Sequence, residues 1–325
     1  MNTQNLEIQD FIVKTLVEKT KYPVDKIIQL LEDGKSPDYI IKSSIPIRKK
    51  LAKIQPSPTR KAQMIPERME EKELEKVAPS TGFPKLDEIL KGFIPGHLYL
   101  LTGQTNVGKT SLACNFAYHV AVQGKIVLYL ALEPDNTVLD YLASISAKKR
   151  FDDVTEKDYD SIPDTIEYFR KDKVDTPEKL IAVLRERERY DLVIVDHIGY
   201  FISDTRNPYQ TQSNVVKQLV AIAKERKCAI LQIAHLRKSG VKKKKKDDLP
   251  TMDDISGSAA FKQDSTDVMI AIRTENDNDE FRLTYMNEGY ILVSKTKSGP
   301  QGAVKIRFFD GGATVQQKEE EFKPF

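Results

Sequence analysis

Gly103-Gln104-Thr105-Asn106-Val107-Gly108-Lys109-Thr110 is the stretch that decides the fold. It satisfies G-x-x-x-x-G-K-[ST] at every position, follows a short apolar run at Leu98–Leu101, and opens an amphipathic helical pattern from Lys109 to Val122. A strand, a glycine-rich loop and a helix in that order are the setting this pattern needs. Glycines let backbone N–H groups wrap a phosphate chain, and the helix N-terminus adds the positive end of its dipole. Lys109 is expected to neutralise the β- and γ-phosphates of ATP, and the Thr110 hydroxyl to ligate Mg²⁺. The neighbouring Gln104, Thr105, Asn106, Val107, Gly108 and Ser111 complete the expected cradle with Gly103.

Working outward, apolar β-rich runs stand at Leu98–Leu101, Ile126–Leu132, Leu192–Val195, Ala229–Ile233 and Val268–Ile272, with helical stretches between them, notably Lys109 to Val122 and Asn214 to Lys227. Continuous apolar strands alternating with helices predict a parallel sheet covered on both faces. After Arg273 come strands without helices, at Phe281–Met286, Tyr290–Lys297 and Val304–Phe309, which predicts an antiparallel extension. The expected fold class is therefore α/β: a P-loop core with a central, mostly parallel sheet, an antiparallel C-terminal extension, and a small N-terminal helical domain.

The ends of these strands carry polar residues. Asp196 closes the apolar run Asp191-Leu192-Val193-Ile194-Val195, where a carboxylate faces the phosphate crevice and can hold the metal's water shell. Glu133 follows Leu130-Ala131-Leu132; at a neighbouring strand end it reads as the base that polarises water, or else as a surface glutamate opening the loop before Pro134. His235 ends Ile230-Leu231-Gln232-Ile233-Ala234 and reads as a γ-phosphate sensor, the alternative being a satisfied structural histidine. The loop after it holds an unbroken run, Lys242, Lys243, Lys244, Lys245 and Lys246, then Asp247 and Asp248. Charge runs are commonly solvated; placed behind a phosphate sensor and lacking aromatics, this one suits sequence-independent contact with a polyanion. Lys295 and Lys297, at period two before Gly299-Pro300, lie on one face of the last part of a strand. They are either an ordinary basic edge or, in an assembly with nucleotide between subunits, a finger that reaches a neighbour's γ-phosphate.

The remaining chain is less specific. Hydrophobic residues make up 40% and charged residues 30% of 325, enough for a full core, and a net charge of +3 does not by itself indicate a nucleic-acid binder. No stretch approaches the roughly eighteen consecutive apolar residues of a membrane span, and MNTQNLEIQDF has no secretory pattern, so a cytoplasmic location is expected. Cys114 and Cys228 read as small buried hydrophobes. Residues 1–53 show short helical periodicities, including Val24, Ile27, Ile28, Leu30 and Leu31, stopped by Asp33-Gly34-Lys35-Ser36-Pro37. Residues 54–79 read as a linker containing a charged helix, Met64 to Lys76, with few apolar residues; 80–316 read as the ATPase domain and 317–325 as a charged tail.

From Ser80 to about Gly312 the sequence resembles the RecA-like helicase domain of the DnaB family, most closely the branch of the phage primase–helicases and the mitochondrial helicase Twinkle. Ser80-Thr81-Gly82-Phe83-Pro84-Lys85-Leu86-Asp87, Gly92-Phe93-Ile94-Pro95-Gly96, Glu133, Asp196-His197 and His235-Leu236-Arg237-Lys238 carry the likeness. Its most specific element is Ser256-Gly257-Ser258-Ala259-Ala260-Phe261-Lys262-Gln263-Asp264-Ser265-Thr266-Asp267, which is similar to the family's fourth motif, S-G-S-x-x-x-x-Q-x-x-D. The resemblance implies an ATP-dependent replicative DNA helicase: a homo-oligomeric, hexameric ring moving on single-stranded DNA. Gln263 would link nucleotide to the DNA loops at 199–213 and 237–252, making Arg206 and Lys242 to Lys246 phosphate contacts. The helix Met64–Lys76 would clasp the adjacent subunit, and residues 1–53 would dock a primase, loader or other replisome protein. Where the family shows K-x-R-x-G-P, this chain has Lys295-Thr296-Lys297-Ser298-Gly299-Pro300, so the finger would be a lysine without arginine's bidentate fork. A lysine pair of this kind also suits a RecA-like filament, and an ATP-switched loader that never translocates is a further alternative.

Overall fold

The structure, a computed structural model, describes residues 24–36, 69–70, 72–132, 137–186, 189–202, 207–235, 263–275 and 285–318. Two compact units are present, Met1–Glu71 and Lys72–Phe325. In the first, helix α1 (Val24–Glu32) ends where the sequence stops it. Gly34 takes φ +73, and the N–H groups of Gly34 and Lys35 return to the carbonyls of Leu31 and Leu30 at 3.0 and 2.9 Å, a glycine-closed helix end. Of the expected helix Met64–Lys76, residues 69–70 and 72–76 are helical and the rest lies outside the described residues.

The second unit is built from α2 (Pro84–Leu90), β1 (Leu98–Gly103), α3 (Lys109–Ala121), β2 (Val127–Ala131), α4 (Thr137–Ala147), β3 (Ile166–Arg170), α5 (Pro177–Glu186), β4 (Leu192–Asp196), α6 (Pro208–Arg226), β5 (Ala229–His235), β6 (Asp267–Glu275), β7 (Tyr285–Lys295), β8 (Gly302–Phe309) and β9 (Thr314–Gln317). The strands form one sheet in the order β3-β2-β4-β5-β1-β6-β7-β8-β9. From β3 to β6 all neighbours pair in parallel, and from β6 to β9 they pair antiparallel. This is the mostly parallel sheet with an antiparallel extension that the alternation predicts.

Strands β1, β2 and β4 are buried along their whole length. Their side chains alternate between two cores. Tyr99, Leu101, Tyr129 and Ile194 join Leu112 and Phe116 of α3 on one face. Leu98, Leu100, Leu128 and Val193 join Leu180 of α5 and Leu219 and Ile222 of α6 on the other. Buried on both faces, these strands read as unbroken apolar runs. Both cysteines are free and buried, and burial pushes the Cys228 thiol up to about 12.

Four elements differ from the sequence reading. Strand β3, IEYFR, lies at the sheet edge and is only half-covered, so it carries charges and lacks an apolar run. Strand β9, TVQQ, is four residues long. Helix α6 starts at Pro208, six residues before Asn214, because Asn207 caps it by accepting the Gln210 N–H at 3.2 Å and the first turn is polar rather than periodic. Finally, β7 is one strand that runs through Asn287-Glu288-Gly289, where the sequence suggests a break. A Cβ on Gly289 would stand 2.3 Å from the Ile272 carbonyl, so this glycine serves close strand approach and not a turn.

Candidate functional site

Strands β4, β5 and β1 end side by side, with Gly103 opposite His235 and, across β1, opposite Ala271 of β6. The crevice beyond these carboxyl ends is where parallel α/β sheets place ligands. Gly103 has no room for a side chain: a Cβ would stand 2.6 Å from the Ala271 carbonyl oxygen. Gly108, at φ +91, caps α3, and a Cβ there would meet the Phe308 ring at 2.6 Å. The two glycines thus let the loop lie flat against β6 and β8. Lys109 is only 6% exposed, and its ammonium donates to the carbonyls of Gln104 at 2.7 Å and Gly103 at 3.3 Å.

A cavity of about 410 Å³ opens over this loop. Thr105, Asn106, Gly108, Lys109, Thr110 and Ser111 form one side, and Asp196 and His235 are set across from them with Ile233. Asp196 is 4% exposed and accepts the Tyr129 hydroxyl at 2.8 Å. Burial, reinforced by the Asp196 charge, pushes the Tyr129 phenol well above its ordinary pKa, so it stays a donor. The peptide bond between Asp196 and His197 is cis. The His197 and His235 rings meet edge to face, 4.5 Å between centroids.

The far wall was not read from the sequence: Thr137 and Tyr141 of α4, Arg273 of β6, and Gly311 and Gly312 after β8. Arg273 was legible in principle, because it follows the apolar run Val268–Ile272 as Asp196 and His235 follow theirs. Its guanidinium lies 4.3 Å over the Phe308 ring, the same ring that packs beneath Gly108. The glycine wall is fastened to α3. The Ser111 hydroxyl donates to the carbonyls of Gly312 and Ala313, Asn115 donates to Ala313 O at 2.7 Å, and Asn115 Oδ1 accepts the Val315 N–H at 3.0 Å. The Ser111 hydroxyl is therefore committed to the wall, and its backbone N–H in the first helical turn is what it offers a phosphate.

Behind Tyr141 stands Phe151, with ring centroids 4.7 Å apart, and Phe151 also backs Gly311. The turn carrying Phe151 is held by Asp158, which accepts from Lys149 at 2.6 Å and from the Thr155 N–H and hydroxyl at 2.8 and 2.7 Å. The Lys149 bond and then the Thr155 bonds lower the Asp158 carboxyl to about 2.

Lys295 and Lys297 lie at the opposite end of the strands, where β1 begins: Lys295 pairs with Val268 of β6, and the Thr266 N–H donates to Leu98 O. The expectation that both share one strand face does not hold. Strand β7 ends at Lys295, and Lys297 sits in a bend, where its N–H donates to Asp267 Oδ1 at 3.4 Å. Asp267 is fully buried against His97, 3.0 Å from Nδ1. Gly299 presses the turn onto Ile89 of α2, where a Cβ would stand 2.8 Å from the Ile89 carbonyl oxygen. Gln263 is exposed. Glu133, Arg206 and Lys242 to Lys246 lie outside the described residues.

The cradle without room for Cβ atoms, the buried ammonium and the helix N-terminus fit a nucleoside polyphosphate. No group of three His, Cys, Asp or Glu side chains gathers to hold a metal among the described residues. Thr110 and Asp196 fit a divalent cation that takes its other oxygens from phosphate and water, as Mg²⁺ does. The family model of the DnaB-like helicase C terminal domain matches residues 79–316. The chain belongs to that family. Among curated relatives, the replicative DNA helicase DnaB of Mycoplasma genitalium is 26% identical over 265 residues, covering 70% of this chain and 54% of that protein. The replicative DNA helicase DnaC of Bacillus subtilis is 25% identical over 248 residues, again 70% and 54%. The chain thus spans about half the length of the curated relatives it matches. A solved DnaB-like replicative helicase, described with its interactions with primase, superposes with a TM-score of 0.61 at 14% identity, covering 97% of this chain and 76% of that one. The RadB recombinase superposes at 0.52 and 18% identity, covering 74% and 100%. These likenesses establish the RecA-like ATPase fold for this DnaB-family chain. Among the described residues no helix is long and apolar enough to cross a membrane.

Proposed function

We propose that this DnaB-family chain is the motor of a replicative DNA helicase, hydrolysing ATP with Mg²⁺ and translocating along single-stranded DNA as a hexameric ring. The observation that carries the reading is the arrangement at the two ends of the central strands. Loop Gly103–Thr110, Asp196 and His235 share one cavity at the carboxyl ends of β1, β4 and β5, while Lys295 and Lys297 stand at the opposite end. A chain with a phosphate cradle at one end of its strands and a basic turn at the other is suited to nucleotide held between copies, each cradle completed by a neighbour's cation.

In this reading Lys109 and the N–H groups from Gly103 to Ser111 bind the triphosphate, and Thr110 and Asp196 hold the metal. Mg²⁺, when bound there, would supply charge neutralisation to the phosphates. Glu133 orients and deprotonates the attacking water, His235 senses the γ-phosphate, and Gln263 relays its state to the loops carrying Arg206 and Lys242 to Lys246, which grip DNA phosphates without reading bases. Residues 1–53 dock a primase, loader or other replisome protein, residues 64–76 clasp the next subunit, and the protein acts where the genome is copied. The phage primase–helicase branch is supported by sequence resemblance alone.

Strand displacement on a forked duplex with both single-stranded tails, ATP and Mg²⁺ tests the proposal, with Lys109→Ala as control. Unwinding that needs Lys109 and one particular tail is the expected result. DNA-stimulated hydrolysis without displacement, with or without a loader, would sink it in favour of a filament or switch.

A further inference from the structure

Asn115 lies one turn beyond Ser111 on α3 and is 1% exposed. Its side-chain amide is used at both ends. Nδ2 donates to the Ser111 carbonyl at 2.8 Å and to the Ala313 carbonyl at 2.7 Å, and Oδ1 accepts the Val315 N–H at 3.0 Å. Ala313 and Val315 are two residues apart, so their carbonyl and N–H face the same edge of an extended chain. That edge is the outer one of β9, the last strand of the sheet, whose other side pairs with β8 through Val315 and Phe308. The Asn115 amide thus takes the place of a neighbouring strand's peptide group, with donor and acceptor in one plane.

The segment pinned in this way continues the wall of the cavity, which Gly311 and Gly312 line. Both glycines stand at positive φ, +73 and +94. Residues without a Cβ have little conformational preference of their own, so the wall takes its place from whatever holds it. Gly311 is backed by Phe151, whereas a Cβ on Gly312 would meet nothing within 4 Å. Gly312 is held instead through its carbonyl by the Ser111 hydroxyl and through Ala313 by Asn115. Two walls of the cavity therefore hang on one helix. The phosphate loop runs into the start of α3 at Lys109, and the glycine turn is fastened to the same helix at Ser111 and Asn115. The gap between the walls is fixed by the rise of that helix, about 1.5 Å per residue. Asn115 itself is not among the residues that line the cavity.

We propose that Asn115 is a positioning residue for the nucleoside half of the nucleotide. By holding Gly311-Gly312 at a set distance from the phosphate loop, it defines the space that ribose and base enter, while the loop and Lys109 hold the phosphates without its help. The inference rests on the nucleotide reading above.

Two ligands separate these roles. The full chain is titrated, in the presence of Mg²⁺, with ADP and with inorganic tripolyphosphate, which offers a phosphate chain and no nucleoside. Wild type is compared with Asn115→Leu, which has nearly the same size and none of the three bonds. Asn115→Ser, whose hydroxyl can return to the Ser111 carbonyl but reaches no part of β9, serves as second variant should the leucine form not fold. The Kd for ADP is expected to rise about ten-fold, the equivalent of one net hydrogen bond of restraint. The Kd for tripolyphosphate is expected to change by less than about two-fold. In ATP hydrolysis by Asn115→Leu, KM should rise while kcat is kept, as for binding shared by ground state and transition state. Equal losses for the two ligands would overturn the proposal and assign Asn115 to the integrity of α3 as a whole. Unchanged ADP binding in both variants would overturn it too, as would a wild type that binds tripolyphosphate as tightly as ADP. A wild type that binds neither ligand would reject the nucleotide reading itself, and this inference with it.

Discussion

Tyr129 and Asp196 are joined across neighbouring strands by a hydroxyl–carboxylate hydrogen bond of 2.8 Å, both side chains being buried. The bond fixes one oxygen of the carboxylate that the site offers to a metal. Removing the donor in Tyr129→Phe leaves Asp196 Oδ2 without that bond. A bond to a charged group of this kind contributes about 2 kcal/mol, so urea unfolding is expected to show a loss of that order. The Mg²⁺ concentration for half-maximal ATP hydrolysis is expected to rise several-fold. An unchanged Mg²⁺ dependence would mean that Tyr129 holds the strand and not the carboxylate.

Gly103→Ala tests the cradle. The added methyl would stand 2.6 Å from the Ala271 backbone oxygen, on a paired strand that cannot move aside cheaply. A loss of about 2 kcal/mol or more in stability is expected, together with loss of binding of a fluorescent ADP analogue. Wild-type affinity in this variant would mean that β1 and β6 separate freely at this edge.

Much of this site was legible because the central strands are buried on both faces. A polar residue ending such a run, as Asp196 or His235 does, has few places to face other than the crevice. The far wall was not legible because it is built by packing rather than pattern. Tyr141 comes from a helix whose polar and apolar residues give no hint of a ligand, and Gly311-Gly312 reads as an ordinary turn until Ser111 and Asn115 are seen to hold it. The edge strand β3 was invisible for the reason that exposes it: half-covered, it needs no apolar run. Period two also misplaced Lys297, because the alternation of a strand stops where the strand stops, at Lys295.

Asp158 makes the brace behind Tyr141 pH-dependent. Its carboxyl is lowered to about 2 by Lys149 and Thr155, below the roughly 3.9 of an unfolded aspartate. The folded state therefore favours the ionised form. The stabilisation is complete above the unfolded value and is lost as pH falls toward about 2. Thermal midpoints of wild type and Asp158→Asn should differ at pH 6 and converge between about pH 4 and pH 2. A gap that stays constant over that range would show that the brace does not depend on the charge.

Arg273 brings a fixed positive charge into the cavity, braced on Phe308. Arg273→Ala is expected to weaken ADP binding by about 1 kcal/mol, roughly five-fold in Kd. Arg273→Lys keeps the charge but loses the planar stack, so its Kd should fall between the two. Equal losses in both variants would assign the effect to the stack, and no loss in either would remove Arg273 from the nucleotide site.

The lysine run, Lys242 to Lys246, is tested by salt. Each phosphate neutralised on a single strand contributes about 0.7 to the slope of log K against log salt concentration, so five contacts contribute at most about 3.5. Replacing all five with glutamine is expected to weaken binding of oligo-dT and to flatten its salt dependence by a slope of about 2 or more. Mixed-sequence and oligo-dT strands should lose affinity alike, because phosphate contacts carry no sequence information. Nucleotide binding in the absence of DNA should be unchanged, since the substitutions leave Lys109, Thr110, Asp196 and His235 of the cavity intact. A salt slope equal to wild type would show that the run is a solvated loop, leaving the grip on DNA to other cations.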